Sequence, residues 1–410
     1  MRVLLAVEQL RRRVPGGIGR YASSLLDGLV SCGPDDKAPP VELYASRPPA
    51  GAPDPLARWG LPVVTSPLPG RLLTRAWDRR LASAPGGYDA VHAVSLAAPP
   101  VRRTGPVRGG GGRRGAAMVV TVHDVAWRRY PEATTAGGRR WHEAALGRAL
   151  RRADVLAVPS QAVADDIRAA GAAAGSVVVL PPGADHLPPG DAAGAAGLLG
   201  RLGVTGHYLL SAGTLEPRKN LTRLLAAYRA ARASLPEPWP LVVVGPPGWG
   251  EAGLAGEVPQ GVVATGPVPD GVLAALYQGA RVFAYVPLVE GFGFPPVEAM
   301  SCRVPVVAST GVPSVAPGGR YPPGERYAAG GRYPSEEPDP PEEPDPLDGE
   351  PGPALRVDPR SVDAIAGALV AASVDDAVRA DLVERGQAWV RPMTWRRAAR
   401  AHLALWESLA

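Results

Sequence analysis

The sequence predicts an α/β protein made of two doubly wound, parallel-sheet domains. Short Val-, Leu- and Ala-rich runs recur without the apolar/polar alternation of a half-exposed strand, so they read as strands buried on both faces. Helix-period stretches separate these runs, and parallel strands require such crossovers. A length of 410 residues, 46% of them hydrophobic, suits two cores better than one or four.

The first series of strands comprises VLLAV (3–7), VELYA (41–45), LPVVT (61–65), YDAVHAV (88–94), MVVTVHD (118–124), VLAVPS (155–160) and VVVLP (177–181). The second begins at HYLLSAG (207–213) and continues through LVVVGPP, GVVATG, RVFAYVP, VPVVAS and ALRVDP. Between the two series, residues 183–206 are rich in Gly, Pro and Ala and carry no strand pattern, as a linker would. The expected division is 1–185 for the first domain, 186–206 for the linker and 207–385 for the second domain. Residues 386–410 form a C-terminal helix able to cross back to the first domain. Two stretches read as loops. Residues 99–116 are expected to be a flexible basic loop. Residues 317–353 hold 11 Pro and 7 Gly and repeat GGRYP and EEPDP, so they are expected to form a disordered acidic surface insertion without a catalytic part.

The net charge of +5 conceals an asymmetry, since residues 1–190 carry 25 Lys and Arg against 15 Asp and Glu. A basic first half suits acidic lipid, nucleic acid or a phosphorylated ligand, and is equally an ordinary solvated face. Lys37 and Lys219 are the only lysines. Cys32 and Cys302 make neither a metal-ligand cluster nor a disulfide framework. No apolar run reaches membrane-spanning length, and MRVLLAV is too short for a signal-peptide core and is followed by Arg11-Arg12-Arg13. A cytoplasmic protein is expected, with peripheral contact at the inner face of an anionic membrane. A nucleic-acid module would interleave aromatic residues with basic stripes, whereas residues 1–190 contain no Phe.

Four stretches carry candidate chemistry. VPGGIGRY sets Gly16 and Gly17 just before a helix, where free amides and the helix dipole attract phosphate, although a tight turn alone also needs glycine. Val122-His123-Asp124 stands at a strand's carboxyl end, where parallel sheets bind ligands; a lone histidine there is more often structural. GTLEPRKN places Arg218 and Lys219 before a helix whose expected N-cap is Asn220, a setting for a diphosphate or for a solvated charged turn. VEGFGFPPVEAM puts Glu290 at a strand end and Glu298 in the first turn of a helix opened by Pro295-Pro296, so both carboxylates border one cleft. A carboxylate accepting from two adjacent hydroxyls is a means of gripping a vicinal diol such as a ribose. Gly291 and Gly293 expose amides, while Phe292 and Phe294 pack the loop against the sheet. A helix dipole alone would explain Glu298, but not Glu290 and the glycines.

In this order, GGIGRY, VHD, GTLEPRKN and EGFGFPPVEAM closely resemble the retaining glycosyltransferases of family 4, from residue 1 to about 405 apart from 317–353. The resemblance implies a GT-B fold, two Rossmann-like domains facing across a cleft, with a nucleotide-sugar held mainly by the second. It implies that Glu298 holds the ribose hydroxyls and that Glu290 sits beside the donor sugar. Arg218 and Lys219 then bind the diphosphate, Gly17 belongs to the glycine loop that closes over it, and His123 reaches the donor sugar. Catalysis would rest on Glu290, His123, Arg218 and Lys219, and donor binding on Gly16, Gly17, Arg218, Lys219, Gly291, Phe292, Gly293 and Glu298. The implied reaction is a front-face, metal-independent hexosyl transfer without a covalent enzyme intermediate and without a cofactor beyond the donor. GTLEPRKN with GGIGRY most resembles the mannosyltransferase branch, which implies GDP-mannose as donor and a glycan, lipid-linked or small-molecule acceptor. Arg303 stands where the family commonly has glycine. The alternatives are a sugar-nucleotide 2-epimerase of the same fold, against which GTLEPRKN argues, and a basic nucleic-acid-binding module.

Overall fold

The structure, a computed structural model, describes residues 1–12, 16–32, 39–48, 51, 53–102, 115–237, 239–248, 259–316 and 352–409. Most of the expected basic loop and nearly all of the expected insertion, residues 103–114 and 317–351, lie outside them.

Seven parallel strands form the first sheet: β1 (Val3–Ala6), β2 (Val41–Ala45), β3 (Val63–Thr65), β4 (Ala90–Ala93), β5 (Ala117–Thr121), β6 (Val155–Val158) and β7 (Val177–Val179), in the order β3-β2-β1-β4-β5-β6-β7. Six more form the second: β8 (Leu209–Ala212), β9 (Leu241–Val244), β10 (Val262–Gly266), β11 (Val282–Tyr285), β12 (Val306–Ser309) and β13 (Leu355–Val357), in the order β10-β9-β8-β11-β12-β13. Each expected run supplies one strand. The inner strands are buried along most or all of their length, as the lack of alternation requires, whereas the edge strands β3, β10 and β13 are only partly buried.

Helices α1 (Gly16–Ser31), α2 (Gly70–Asp78), α3 (Ala126–Arg129), α4 (Ala136–Arg152) and α5 (Gln161–Ala169) cover the first sheet. Around the second lie α6 (Ala192–Arg201), α7 (Leu221–Ala231), α8 (Asp270–Gly279), α9 (Phe294–Ser301), α10 (Val362–Val374) and α11 (Asp376–Val390), followed by α12 (Trp395–Glu407). The expected linker is thus more than a connector. Asp191 caps α6 through Gly194 N–H at 2.8 Å, and Leu198, Leu199 and Leu202 pack on the second domain's core. The expected boundary at 385/386 falls inside α11, and the chain turns back only at residues 391–394.

Helix α12 belongs to the first domain. Thr394 caps it by accepting from Arg397 N at 3.1 Å, and Trp395, Ala398, Ala399, Leu403 and Trp406 join the cluster built from Val3, Leu5, Tyr21 and Leu25. Gly28 on α1 permits this approach, because a Cβ there would overlap the Trp395 carbonyl. Two buried histidines tie the helix down. His402 accepts from the Tyr21 hydroxyl at 2.9 Å and donates to Ala398 O at 2.7 Å; His92 accepts from Trp406 Nε1 at 3.2 Å and donates to the Thr121 hydroxyl at 2.8 Å. Each ring satisfies both partners only while neutral, and burial lowers both pKa values, that of His402 to about 4.

Candidate active site between the two sheets

Strand order reverses between β1 and β4 in the first sheet and between β8 and β11 in the second. Loops leaving such a point diverge and open a crevice at the carboxyl ends of the strands. The two crevices share a cleft of about 1360 Å³, and all ten residues singled out from the sequence line it. Arg218 and Lys219 follow β8, Glu290 to Gly293 follow β11, α1 follows β1, and His123 follows β5.

Glu290 is held within its own domain. Its Oε1 accepts from Lys219 Nζ at 2.5 Å, Arg218 Nη1 at 2.9 Å and the Tyr285 hydroxyl at 2.9 Å. Arg218 also grips Glu216 through Nε at 2.6 Å, so two cations face two carboxylates. Burial alone would raise the Glu290 pKa, but Arg218 and Lys219 outweigh it and bring the value to about 2.

Glu298 gathers partners from three parts of the chain. Oε1 accepts from His186 Nε2 at 2.8 Å and from Arg20 Nη1 at 3.1 Å, while Oε2 accepts from the Tyr277 hydroxyl at 2.9 Å. Arg20 lies on α1 in the first domain and also reaches Asp270 at 2.9 Å; His186 lies between the domains. Burial pushes the Glu298 pKa up, and His186, Arg20 and Tyr277 together pull it down to about 2. The glutamate sits in the second turn of α9 rather than the first, because that helix opens at Phe294. Its buried carboxylate is therefore held by side chains, not by the helix terminus. Arg20 follows the glycines of GGIGRY by one helical turn, which is a usable signal; nothing local marks His186.

Gly16 and Gly17 are the first residues of α1 rather than a turn before it. Gly16 has φ 62°, both glycines are exposed, and no atom stands within 4 Å of the place a Cβ would occupy. First-turn amides lack intrahelical partners, so this corner can receive an anion. His123 donates Nε2–H to Val94 O at 2.8 Å and packs edge-on to Tyr21 at 4.7 Å. Burial lowers its pKa, which keeps Nδ1 an acceptor.

Asn220 stands at the N-cap of α7, as expected, but its side chain makes no capping bond to the helix. With φ 61° it donates to Val286 O at 2.9 Å and Pro359 O at 2.7 Å, and so fastens the Arg218-Lys219 turn to two loops. Gly291 is buried, and its lack of a side chain serves an approach between domains: a Cβ would overlap the His123 carbonyl, and Ser160 Oγ donates to Gly291 O at 2.6 Å. The two phenylalanines divide their work. Phe292 enters the second core, whereas Phe294 stacks on Trp395 at 6.2 Å and meets His186 edge-on at 5.5 Å. Arg303 takes φ 63°, so an arginine does occupy a left-handed turn, at a cost of about 1 kcal/mol or more relative to glycine. Among the described residues no helix is long and apolar enough to cross a membrane.

Comparison with known proteins places this arrangement. The profile described as "Glycosyl transferase 4-like domain" matches residues 16–183, and that described as "Glycosyl transferases group 1" matches residues 202–316, more than half of the chain between them. The O-antigen chain mannosyltransferase B of Escherichia coli is 34% identical over 46% of this chain and 42% of its own length. A D-inositol 3-phosphate glycosyltransferase of Segniliparus rotundus is 34% identical over 32% of this chain and 31% of its own. The chain thus matches less than half the length of these curated relatives. Among solved structures, sucrose-phosphate synthase from Thermosynechococcus elongatus superposes with a TM-score of 0.66 at 18% identity, covering 100% of this chain and 99% of that one. Anabaena HepE in complex with UDP-glucose gives a TM-score of 0.59 at 18% identity, covering 99% and 98%. Two profiles matched in tandem, each on its own parallel sheet, and the paired glutamates at the second switch point together show that this chain belongs to the family 4 glycosyltransferases of GT-B fold.

Proposed function

We propose that this chain is a retaining hexosyltransferase that moves mannose from GDP-mannose to a hydroxyl of a glycan, lipid-linked or small-molecule acceptor. The observation that carries the reading is a pair of buried, ionised glutamates lining one cleft with Arg218 and Lys219. A buried carboxylate kept charged is a strong acceptor for neutral hydroxyls. On this reading Glu298 takes the ribose diol and Glu290 takes hydroxyls of the hexose. Arg218, Lys219 and the amides of Gly16 and Gly17 oppose the charge that grows on the departing diphosphate. The bond from the anomeric carbon to the diphosphate breaks, the acceptor oxygen bonds to that carbon on the same face, and its proton passes to the leaving phosphate oxygen. His123 Nδ1 offers an acceptor to the sugar from the first domain. The mannosyltransferase names among the relatives support mannose, and the UDP-glucose complex of a structural neighbour supports a nucleoside diphosphate sugar as the donor class. The basic first half supports peripheral contact with an anionic membrane.

A thermal-shift panel of GDP-, UDP- and dTDP-sugars tests the donor, since whatever binds the native state raises its melting temperature. GDP-mannose is expected to shift it most, and transfer is expected to persist in EDTA. A larger shift with a UDP-sugar would overturn the donor assignment. Conversion of the donor to its 2-epimer without any acceptor would favour the epimerase reading, and strict dependence on a divalent cation would overturn the metal-free one.

A further inference from the structure

A second cavity, of about 540 Å³, opens in the first domain and shares His123, Asp124 and Trp127 with the main cleft. Its size suits a mono- or disaccharide derivative. Arg12, Arg71 and Arg75 line it, all three exposed. Among the described residues, none of these guanidinium groups has a hydrogen-bond or ion-pair partner, in contrast to Arg20, Arg218 and Lys219 in the main cleft. Arg71 and Arg75 are four apart on α2, so the two like charges share one face and repel unless an anion lies between them. The carboxylate beside them cannot serve, because Asp78 is taken by Arg148 and by Trp141 Nε1 at 2.9 Å. The same cavity is lined by aromatic rings, where His142 stacks with Trp127 at 4.7 Å and meets Trp141 edge-on at 4.8 Å, a wall of the kind on which the apolar face of a sugar ring rests.

We propose that this cavity binds the acceptor, and that the acceptor carries a phosphate group held by Arg12, Arg71 and Arg75 while its sugar lies along Trp141 and His142. The proposal rests on the transferase reading for its word "acceptor" and on geometry for its chemistry. Three guanidinium forks lining one cavity, two of them on the same face of α2, match a multiply charged tetrahedral anion better than a single carboxylate. The wall shared with the cleft then lets a hydroxyl of the same molecule face the donor.

The test measures binding by tryptophan fluorescence with three probes: methyl α-mannoside, mannose 1-phosphate, and a prenyl-diphosphate-linked mannose in neutral detergent micelles. GDP is titrated in parallel. The phosphorylated probes are expected to bind at least about tenfold more tightly than the neutral glycoside, with an affinity that falls as salt rises. In the variant Arg12→Gln/Arg71→Gln/Arg75→Gln that preference is expected to disappear while GDP affinity and melting temperature stay at wild-type values. Preference for the prenyl-linked over the soluble phosphate identifies a lipid-borne acceptor, and the reverse a soluble one; both support the proposal. Equal binding of phosphorylated and neutral sugars, or a phosphate preference that survives in the triple variant, overturns it. Failure of GDP and every other nucleotide to bind would instead sink the transferase reading, whatever the sugar phosphates do.

Discussion

Glu290 and Glu298 are eight residues apart in sequence, border the same cleft and are both held near a pKa of 2, yet they are anchored in different ways. The partners of Glu290 are Arg218, Lys219 and Tyr285, all from the second domain. Those of Glu298 come from the first domain, the connection and the second domain. One carboxylate takes all its side-chain partners from its own domain. The other is set by how the domains meet. The proposed function gives these two arrangements different tasks, leaving-group chemistry to the first and grip on the nucleotide to the second.

The sharpest way to break this contrast lies on the Glu290 side. Lys219→Ala is expected to lower kcat by about 10²–10³, more than it raises KM, because the charge it opposes is larger in the transition state than in the bound donor. Lys219→Arg recovers only part of that loss, since a planar fork places its charge elsewhere than a compact ammonium. Rates measured across donor concentrations decide it, and a normal kcat in Lys219→Ala would take the chemistry away from this cluster.

A smaller effect separates the carboxylates themselves. Glu298→Ala is expected to weaken binding of the nucleoside diphosphate by about 1.5–3 kcal/mol, the usual loss for hydrogen bonds to a charged group. Glu290→Ala should depress turnover and leave that affinity largely intact. Calorimetry with GDP and both variants provides the comparison, and equal losses would erase the division of roles.

Smallest is the effect of the cross-domain partner. The Arg20 side chain retains 26% exposure, so its ion pair is partly screened. Arg20→Ala is expected to weaken donor affinity by about 1 kcal/mol, raising KM severalfold with kcat nearly unchanged, and Arg20→Lys should restore part of the loss. A fall in kcat like that of Lys219→Ala would show that the shared carboxylate also takes part in the chemical step.

What the sequence discloses follows the same division. Strands buried on both faces announce themselves as unbroken apolar runs, and all thirteen were legible. The glutamates, Arg218 and Lys219 were legible because each motif is a few residues long and sits directly after a strand. Arg20 and His186 were not assigned roles, because their partner is 278 and 112 residues away and only domain apposition brings it near. Helix α6 hid in AAGAAGLLGR, where small residues leave little apolar periodicity. Asn220 was legible as the N-cap of α7, but not the left-handed backbone that turns its side chain to Val286 O and Pro359 O instead of to the helix amides.

Helix α12 has a bearing on the order of events during synthesis. The face of the first sheet nearest α1 is sealed by Trp395, Ala399, Leu403 and Trp406, and these residues leave the ribosome after every strand of both sheets has been made. The second domain has its strands and α11 in hand before then and can close as a unit. The domain made first therefore completes its core last, holding Tyr21, His92 and their apolar neighbours partly uncovered for most of translation. A nascent chain released just after Met393, the last residue of the second core, would present a closed second domain tethered to an unfinished partner, which is the kind of intermediate that chaperones recognise by its exposed apolar surface.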